Sequence, residues 1–566
     1  MNRSGWRLAG FLLALALAAA LRLPRLSARP MHGDEAVHAY KLDELLRTGR
    51  YVYDPHEFHG PTLYYLTLPV TWLRGAADTR DLDESDLRLV PALFGVATLL
   101  LVWSLRRELG RAGTFFAALL TAASPALSFY SRYYIQETLL SFFVLGALAF
   151  GWRYAASRRR IWALAAGVCL GCAHASKETS VIAFGCLAAA VAIVVGLHRL
   201  RRPGAALRDT NELRSARAAL FDVLLAGLVA VAASVTFYSA FFTNASGPLD
   251  SLRALVPYVV RAGGHGAVAP HDKPWHDYLA TLLYTHTVPG PTWSESLVVA
   301  LATLGSVATL GRRRLGGTGV SPVSMGGVGG REAAPDSRSA DVPPAHRAQS
   351  AGFAAFLTAY AALLCLAYSA IPYKTPWCLV QMLQPLALLA GIGAAALLDF
   401  RVGWRWKAGA TTFLLLLSGQ LAGQAYRANF VYFADRRNPY VYAHPVPDVA
   451  NAGAWVERIA ACAEEGRGTL VEVYHPNPWP LPWYLRRLTH VGYWETPPDR
   501  PAAPIVVADE NYAAALDGRY GRGYQLSVYG LRPAERLLVY VRDDLYRRFA
   551  DPFRTSSAAT VPGERP

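Results

Sequence analysis

The apolar positions of this chain fall in long blocks separated by short charged stretches. The blocks lie at 5–23, 87–105, 113–130, 138–155, 161–176, 179–197, 218–242, 292–311, 352–371, 378–398 and 407–424. Each is long enough, or nearly so, to cross roughly 30 Å of hydrocarbon as a helix rising about 1.5 Å per residue. The pattern predicts a polytopic α-helical membrane protein with about eleven transmembrane helices. The first block carries Ala18, Ala19 and Ala20, as a cleavable signal would, but its length and the many later blocks favour a retained helix.

From about residue 440 the period changes. Ala450 to Ala463 reads as an amphipathic helix, and Thr469–Tyr474, Ile505–Val507, Gln525–Tyr529 and Leu537–Val541 read as short strands rich in Val, Ile and Tyr. The expected organisation is a membrane module over 1–424 followed by a small soluble α/β domain over 425–566. The stretch 312–350 is rich in Gly, Ser, Pro and Arg and reads as a flexible insert. Its run Gly326-Gly327-Val328-Gly329-Gly330 lacks the Lys-Ser/Thr, the strand and the helix that a phosphate loop needs.

Charge orients this arrangement. Only 17% of residues are charged and the formal net charge is +15, whereas soluble domains carry about 25% charged residues. The arginines cluster just beyond apolar blocks, at Arg106, Arg107, Arg153, Arg158, Arg312 and Arg313 among others. That is membrane-flank placement and argues against nucleic acid as a partner. With the N-terminus in the cytoplasm, the basic loops 106–112, 153–160, 198–217, 312–350 and 399–407 are cytoplasmic. The loops 24–86, 131–137, 177–178, 243–291 and 372–377 and the C-terminal domain are then extracytoplasmic, in a multi-pass protein of the cytoplasmic (inner) membrane. Cys169 and Cys172 have the spacing of a redox or zinc pair, but they sit in an apolar helix and read as small buried residues.

The unusual polar residues gather in the extracytoplasmic set. Asp34 and Glu35 of His32-Gly33-Asp34-Glu35 lie about ten residues past the first block. A carboxylate partly desolvated at a membrane surface has a raised pKa suited to general-base work, or it holds a divalent cation. The alternative is a helix N-terminus over Glu35–Leu46. His56 and His59 suit hydrogen bonding better than metal ligation, and the aromatic-rich run Leu66–Leu73 reads as an interfacial helix. Arg132, Tyr133 and Glu137 mark one external turn, Lys177 and Glu178 a second, and Lys374 and Trp377 a third. Ionisable groups at such depths are costly and are functional candidates by default, with local ion pairing and snorkelling as the alternatives. Carboxylates to activate a hydroxyl, with cations to hold a lipid-linked phosphate, make a glycosyl-transfer site.

These motifs resemble a known family. His32-Gly33-Asp34-Glu35, His59-Gly60-Pro61-Thr62-Leu63-Tyr64-Tyr65 and Arg88-Leu89-Val90-Pro91-Ala92-Leu93-Phe94-Gly95 look like the C-superfamily (GT-C) of membrane glycosyltransferases, which includes protein O-mannosyltransferases and lipid A aminoarabinose transferases. Arg132 to Glu137, Ser176-Lys177-Glu178, Tyr373 to Trp377 and Trp479-Pro480-Leu481-Pro482-Trp483-Tyr484 look like its flippase activity-associated group. The resemblance implies a transferase that moves a sugar from a polyprenyl-phosphate donor to an acceptor glycan, lipid or protein at the extracytoplasmic face, in contact with membrane lipids. It implies Asp34 as the leading catalytic carboxylate, Glu35 in support and Glu137 as the second acidic position. His59, Arg132, Tyr133, Lys177, Glu178, Lys374 and Trp377 become substrate-binding candidates. Gln136-Glu137 stands where an Asp-x-Asp pair is common in the family. That leaves open a divalent cation, magnesium or manganese, on Asp34 and Glu137. The competing function is a flippase, or a flippase-associated protein, that handles lipid-linked sugar without making a bond. A transporter of soluble ligands ranks last, since no repeat or midplane charge is visible.

Reporter tags placed beside Asp34 and beside Lys374 are expected to be accessible from the same, extracytoplasmic side of sealed vesicles. Labelling from opposite sides would remove the basis for assigning them to one chemistry.

Overall fold

The computed structural model describes residues 3–55, 59–200, 210–262, 271–315, 344–399, 403–499 and 503–558. His56 and the Gly326–Gly330 run lie outside the described residues.

In chain order the helices are α1 (Arg3–Arg22), α2 (Gly33–Thr48), α3 (Thr62–Arg74), α4 (Glu84–Ser104), α5 (Arg106–Ala123), α6 (Pro125–Tyr130), α7 (Glu137–Ser157), α8 (Arg160–His174), α9 (Ser180–Leu200) and α10 (Thr210–Tyr238). Then come α11 (Gly247–Arg253), α12 (Leu255–Ala262), α13 (Asp277–Leu283), the two-residue strands β1 (Thr285–His286) and β2 (Thr292–Trp293), α14 (Ser296–Leu315), α15 (Pro344–Ala370), α16 (Leu379–Leu398) and α17 (Trp404–Phe430). The remainder is α18 (Asp448–Ala460), β3 (Val471–Tyr474), α19 (Leu481–Tyr484), β4 (Val491–Trp494), β5 (Ile505–Asp509), α20 (Ala513–Tyr520), β6 (Tyr524–Arg532), β7 (Glu535–Arg542) and α21 (Asp543–Ala558).

Each apolar block falls mainly on helix, although the block 292–311 begins on β2 and the block 218–242 runs past the end of α10. Among the described residues six helices are long and apolar enough to cross a membrane, and Leu8–Arg22, Arg160–His174 and Ser296–Gly311 are shorter apolar helices. The block 113–130 departs from expectation by dividing in two. Ser124 leaves the helical region and its Oγ accepts the N–H of Leu127 at 3.2 Å, while Pro125 occupies the first helical position. A proline there has no hydrogen bond to lose, so the chain turns a corner at little cost.

By contacts the chain forms two compact units. One comprises Met1–Pro24, Val52–Tyr65 and Leu89–Val431, and the other Arg25–Tyr51, Leu66–Arg88 and Tyr432–Pro566. In the first, the membrane unit, glycines bring helices into close approach. A Cβ added at Gly391 of α16 would collide with the carbonyl of Gly113 in α5, and one at Gly393 with the carbonyl of Leu301 in α14. Lipid-embedded helices gain nothing from hydrophobic exclusion between themselves, so such tight packing contributes much of their association.

The second unit holds a five-stranded sheet of order β4-β3-β5-β7-β6. β3 runs parallel to β4 and β5, and β7 runs antiparallel to β5 and β6. Alternation sorts the side chains to two faces. Val471, Val473, Ile505, Val507, Val539 and Val541 pack with Val449, Val456 and Ile459 of α18. Val506, Ala508, Leu538 and Tyr540 pack on the other face with Leu516 and Tyr520 of α20. The sequence reading missed β4, a half-buried edge strand interrupted by Gly492.

Gly391→Val is expected to overpack the α5–α16 contact and cost roughly 1–3 kcal/mol, visible as a lower melting temperature in detergent. Gly419→Val, at a site with nothing within 4 Å of a new Cβ, serves as the control and should leave melting nearly unchanged.

Candidate active site

In the second unit the first loop turns into α2, and a buried ion pair fixes that turn. Glu35 and Arg88 are fully buried. Arg88 Nε donates to Glu35 Oε1 and its Nη2 to Oε2, both at 2.7 Å. The remaining donors of Arg88 reach main-chain oxygens, Nη1 those of Leu26 and Arg29 at 2.8 Å and Nη2 that of Pro30 at 3.1 Å. Arg29 adds a longer contact to Glu35 at 3.4 Å. One guanidinium therefore holds both the carboxylate and the loop before it, a use of the planar fork that an ammonium could not match.

The same carboxylate closes a capping box. The His32 N–H donates to Glu35 Oε2 at 2.9 Å, and His32 Nδ1 accepts the N–H of Asp34 at 3.1 Å. His32 Nε2 lies 3.0 Å from the carbonyl oxygen of Tyr442, and its ring meets that of His444 edge-on at 5.1 Å. Burial pushes His444 well below the usual imidazole range, and His32 beside it adds to this. From the C-terminal region, the Tyr484 hydroxyl accepts the Met31 N–H at 2.8 Å, Trp483 Nε1 donates to Glu84 at 2.8 Å, and Trp479 packs against Gly33. Helix α2 ends at Gly49, whose φ of 67° is the left-handed conformation of a C-terminal cap.

The adjacent carboxylates thus have opposite surroundings. Asp34 is half exposed on the first turn of α2, 3.9 Å from His32 Nδ1. Glu35 is sealed. Burial alone would raise its pKa, but Arg88, supported by Arg29, outweighs burial and holds it at about 2. The expectation of a desolvated carboxylate with a raised pKa is therefore corrected for Glu35. It is an ion-paired anchor, because a guanidinium was buried with it.

In the membrane unit the remaining candidates form local sets. Glu137 opens α7 and pairs with Lys177, both nearly buried. Glu137 lowers the free energy of the Lys177 ammonium enough to offset burial, so the lysine stays above its ordinary range. Glu178 is buried, accepts the Tyr53 hydroxyl at 2.6 Å and lies 2.9 Å from His59 Nδ1. Burial works to raise its pKa, but His59 and Tyr53 prevail and it falls below the usual range. Gly60 explains the docking of this segment. A Cβ there would strike the carbonyl of Ala175, whose oxygen accepts the Thr62 N–H at 3.2 Å.

Two cations predicted to bind substrate hold helix ends instead. Arg132 Nη1 donates to the carbonyls of Arg22 at 2.8 Å and Pro24 at 2.7 Å, at the end of α1, and its guanidinium lies over Phe430. Lys374 is buried and donates to the carbonyls of Ser369 at 2.9 Å, Tyr368 at 3.4 Å and Ile371, closing the end of α15. Burial lowers its pKa. To bind a phosphate, Lys374 would have to release those carbonyls, whereas Arg132 reaches its two through Nη1 alone. Tyr133 is buried among Phe129 and Tyr130, and Trp377 is half buried in the turn Pro376–Cys378.

Sequence reasoning passed over Arg88 as a site residue, although an arginine four residues into an apolar helix is a costly placement that signals a buried partner. It also missed Glu295, which is buried and takes the Ser124 hydroxyl at 2.6 Å and the Ala126 N–H at 3.2 Å. Glu295 lies inside the predicted block 292–311, one residue before α14 begins.

Among the described residues no group of three His, Cys, Asp or Glu side chains could hold a metal ion. Glu137, one of the two suggested ligands, already takes the Lys177 ammonium, so its carboxylate as arranged does not fit a divalent cation. A largely apolar cavity of about 1350 Å³ opens among α7, α8, α9 and α10, lined by Leu148, Trp152, Leu170, Phe184, Val231 and Leu252 among others, with His174 and Ser234 on its wall.

The fold is similar to that of solved proteins. Over 96% of this chain and 99% of the other, it matches ArnT from Cupriavidus metallidurans in the apo state, with a TM-score of 0.56 and 16% identity. The same protein bound to undecaprenyl phosphate matches with a TM-score of 0.56 and 17% identity, over the same shares of both chains. The Archaeoglobus fulgidus oligosaccharyltransferase in the apo form matches at 0.49 and 14% identity, over 96% of this chain and 77% of the other. Residues 67–208 match the family of dolichyl-phosphate-mannose-protein mannosyltransferases. No curated protein matches the sequence.

Glu35→Gln leaves Arg88 buried without its counter-charge and is expected to cost about 3 kcal/mol at neutral pH. A depressed carboxyl stabilises the fold above its unfolded pKa and loses that contribution as pH falls through its folded pKa. The wild type should therefore lose stability between pH 4.5 and about 2 through this group, and the variant should lack that part of the acid limb. Equal melting and equal acid limbs would show that the pair does not hold the turn.

Proposed function

We propose that this protein is a membrane glycosyltransferase that takes a sugar from a polyprenyl-phosphate donor and gives it to an acceptor hydroxyl at the extracytoplasmic face. The observation that carries the reading is the division of labour at α2. Glu35 is locked to Arg88, and its neighbour Asp34 is left open on a rigid helix N-terminus. An exposed carboxylate held in one place by its neighbour's ion pair is the arrangement a general base needs.

In this mechanism Asp34 takes the proton of the acceptor hydroxyl as its oxygen bonds to the anomeric carbon. The bond from that carbon to the phosphate oxygen breaks, and the polyprenyl phosphate leaves with the electron pair. Inversion at the anomeric carbon follows from a single displacement. In the membrane unit Lys177 is the favoured cation for the phosphate, because an ammonium has three donors and Glu137 Oε1 accepts one of them. The apolar cavity among α7 to α10 suits an isoprenoid chain, and the similar fold has been solved with undecaprenyl phosphate bound.

Purified protein in vesicles, supplied with a polyprenyl-phosphate sugar and a hydroxyl acceptor, should form a glycosylated product. Asp34→Asn should reduce the rate by about two orders of magnitude or more, with membrane insertion and melting temperature intact. Undiminished transfer by Asp34→Asn would discard the assignment. Lipid translocation with no glycosylated product would favour the flippase reading.

A further inference from the structure

The second unit contains a polar cleft that the transfer chemistry does not use. It has a volume of about 550 Å³ and is lined by Ala77, Asp78, Arg80, Asp81, Arg467 and Arg487. Its two acids are engaged locally. Asp78 accepts from Arg80 Nε at 2.9 Å, from Nη2 at 2.5 Å and from the Arg80 N–H at 2.8 Å. Asp81 accepts the N–H of Ala77 at 3.2 Å.

The other two arginines are held far more loosely. Arg487 Nε reaches the Arg80 carbonyl only at 3.5 Å, and its Nη1 lies 3.8 Å from Glu457. The guanidinium of Arg467 is exposed and makes no hydrogen bond or ion pair among the described residues. Its main chain is nevertheless fixed, since its carbonyl accepts the N–H of Thr489 at 2.9 Å and the hydroxyl at 3.2 Å. Three guanidinium groups from distant parts of the sequence therefore share one space, and two keep their planar forks largely available. Three guanidinium groups outnumber the two carboxylates of the lining, which leaves the cleft positive, and the fork geometry matches phosphate oxygens.

We propose that this cleft is a binding site for a phosphate group, separate from Asp34. The turn Thr79–Asp81 is bound to Asp43 of α2, by the Thr79 N–H at 2.9 Å and its hydroxyl at 2.7 Å. Asp43 lies nine residues past Asp34, about 13 Å of helix rise. Four residues before Ala77, the end of α3 exposes Trp72 at 70% and Leu73 at 88%, within about 14 Å of chain. An exposed tryptophan and leucine followed by arginines is the pattern of a segment at headgroup depth. The phosphate belongs either to an anionic lipid headgroup or to a soluble phosphate compound.

The test uses the full-length protein in nanodiscs. Inorganic phosphate is titrated calorimetrically in phosphatidylcholine discs, and retention of phosphatidylglycerol from mixed bilayers is measured by native mass spectrometry. The double variant Arg467→Glu, Arg487→Glu is expected to weaken one of these at least tenfold with an unchanged melting temperature. Loss of phosphate binding identifies a soluble source, and loss of phosphatidylglycerol retention identifies the headgroup. Arg467→Ala, whose side chain holds nothing else in place, gives the same direction if the double variant is unstable. Equal behaviour of variants and wild type with both probes, or no binding of either by the wild type, overturns the proposal.

Discussion

The burial of Glu35 against Arg88 is the constraint on which the rest of the second unit turns. Neither charge could sit at zero exposure alone, since desolvating one ion costs several kcal/mol even after relaxation. Together they satisfy each other in a bidentate fork, and the donors left over gather the carbonyls of Leu26, Arg29 and Pro30. The position of α2, the exposure of Asp34 and the seating of the Trp479–Tyr484 segment follow from that arrangement. A buried ion pair of this kind adds less to net stability than apolar packing of equal volume would, but it admits only one geometry. At a site where one carboxylate must be presented and its neighbour must not, that selectivity is the useful property.

A second use of charge recurs in the membrane unit. Arg22 donates to the carbonyls of Thr121 and Ala122 at the end of α5, while the Arg22 carbonyl itself accepts from Arg132. Lys374 does the same for α15. Helix ends leave their last carbonyls unpaired, and water is scarce beside lipid, so long basic side chains take the place of solvent. This is the reason cations that look like ligands for phosphate in the sequence are found serving the backbone.

The fold was legible in the sequence to the extent that it depends on burial. The apolar blocks located the helices, and strands with a strong Val and Ile content located four of the five in the mixed sheet. What burial pattern does not encode was lost. The corner at Ser124-Pro125 lies within a continuous apolar run, and β4 is short, glycine-containing and half exposed. At the candidate site, the residue types of His59, Glu137, Lys177 and Glu178 were visible, but their pairing was not. Adjacent letters such as Lys177 and Glu178 point to different partners, Glu137 and His59, because successive residues in a tight turn face different ways. Arg88 escaped notice as a site residue because its role depends on a carboxylate 53 positions earlier.

The hydrogen bond from Met31 to Tyr484 joins residues 453 positions apart. An amino-terminal loop held by a contact of that span cannot reach its finished shape while the ribosome is still making the intervening chain. The early helices can insert in order, each as a local event, but the contact that covers the loop between the first and the next must wait until the segment around Tyr484 has been synthesised. Arg88 can set the acidic turn early, but its cover is a late, long-range closure, and a chain interrupted before its final quarter would carry that turn without the Tyr484 contact.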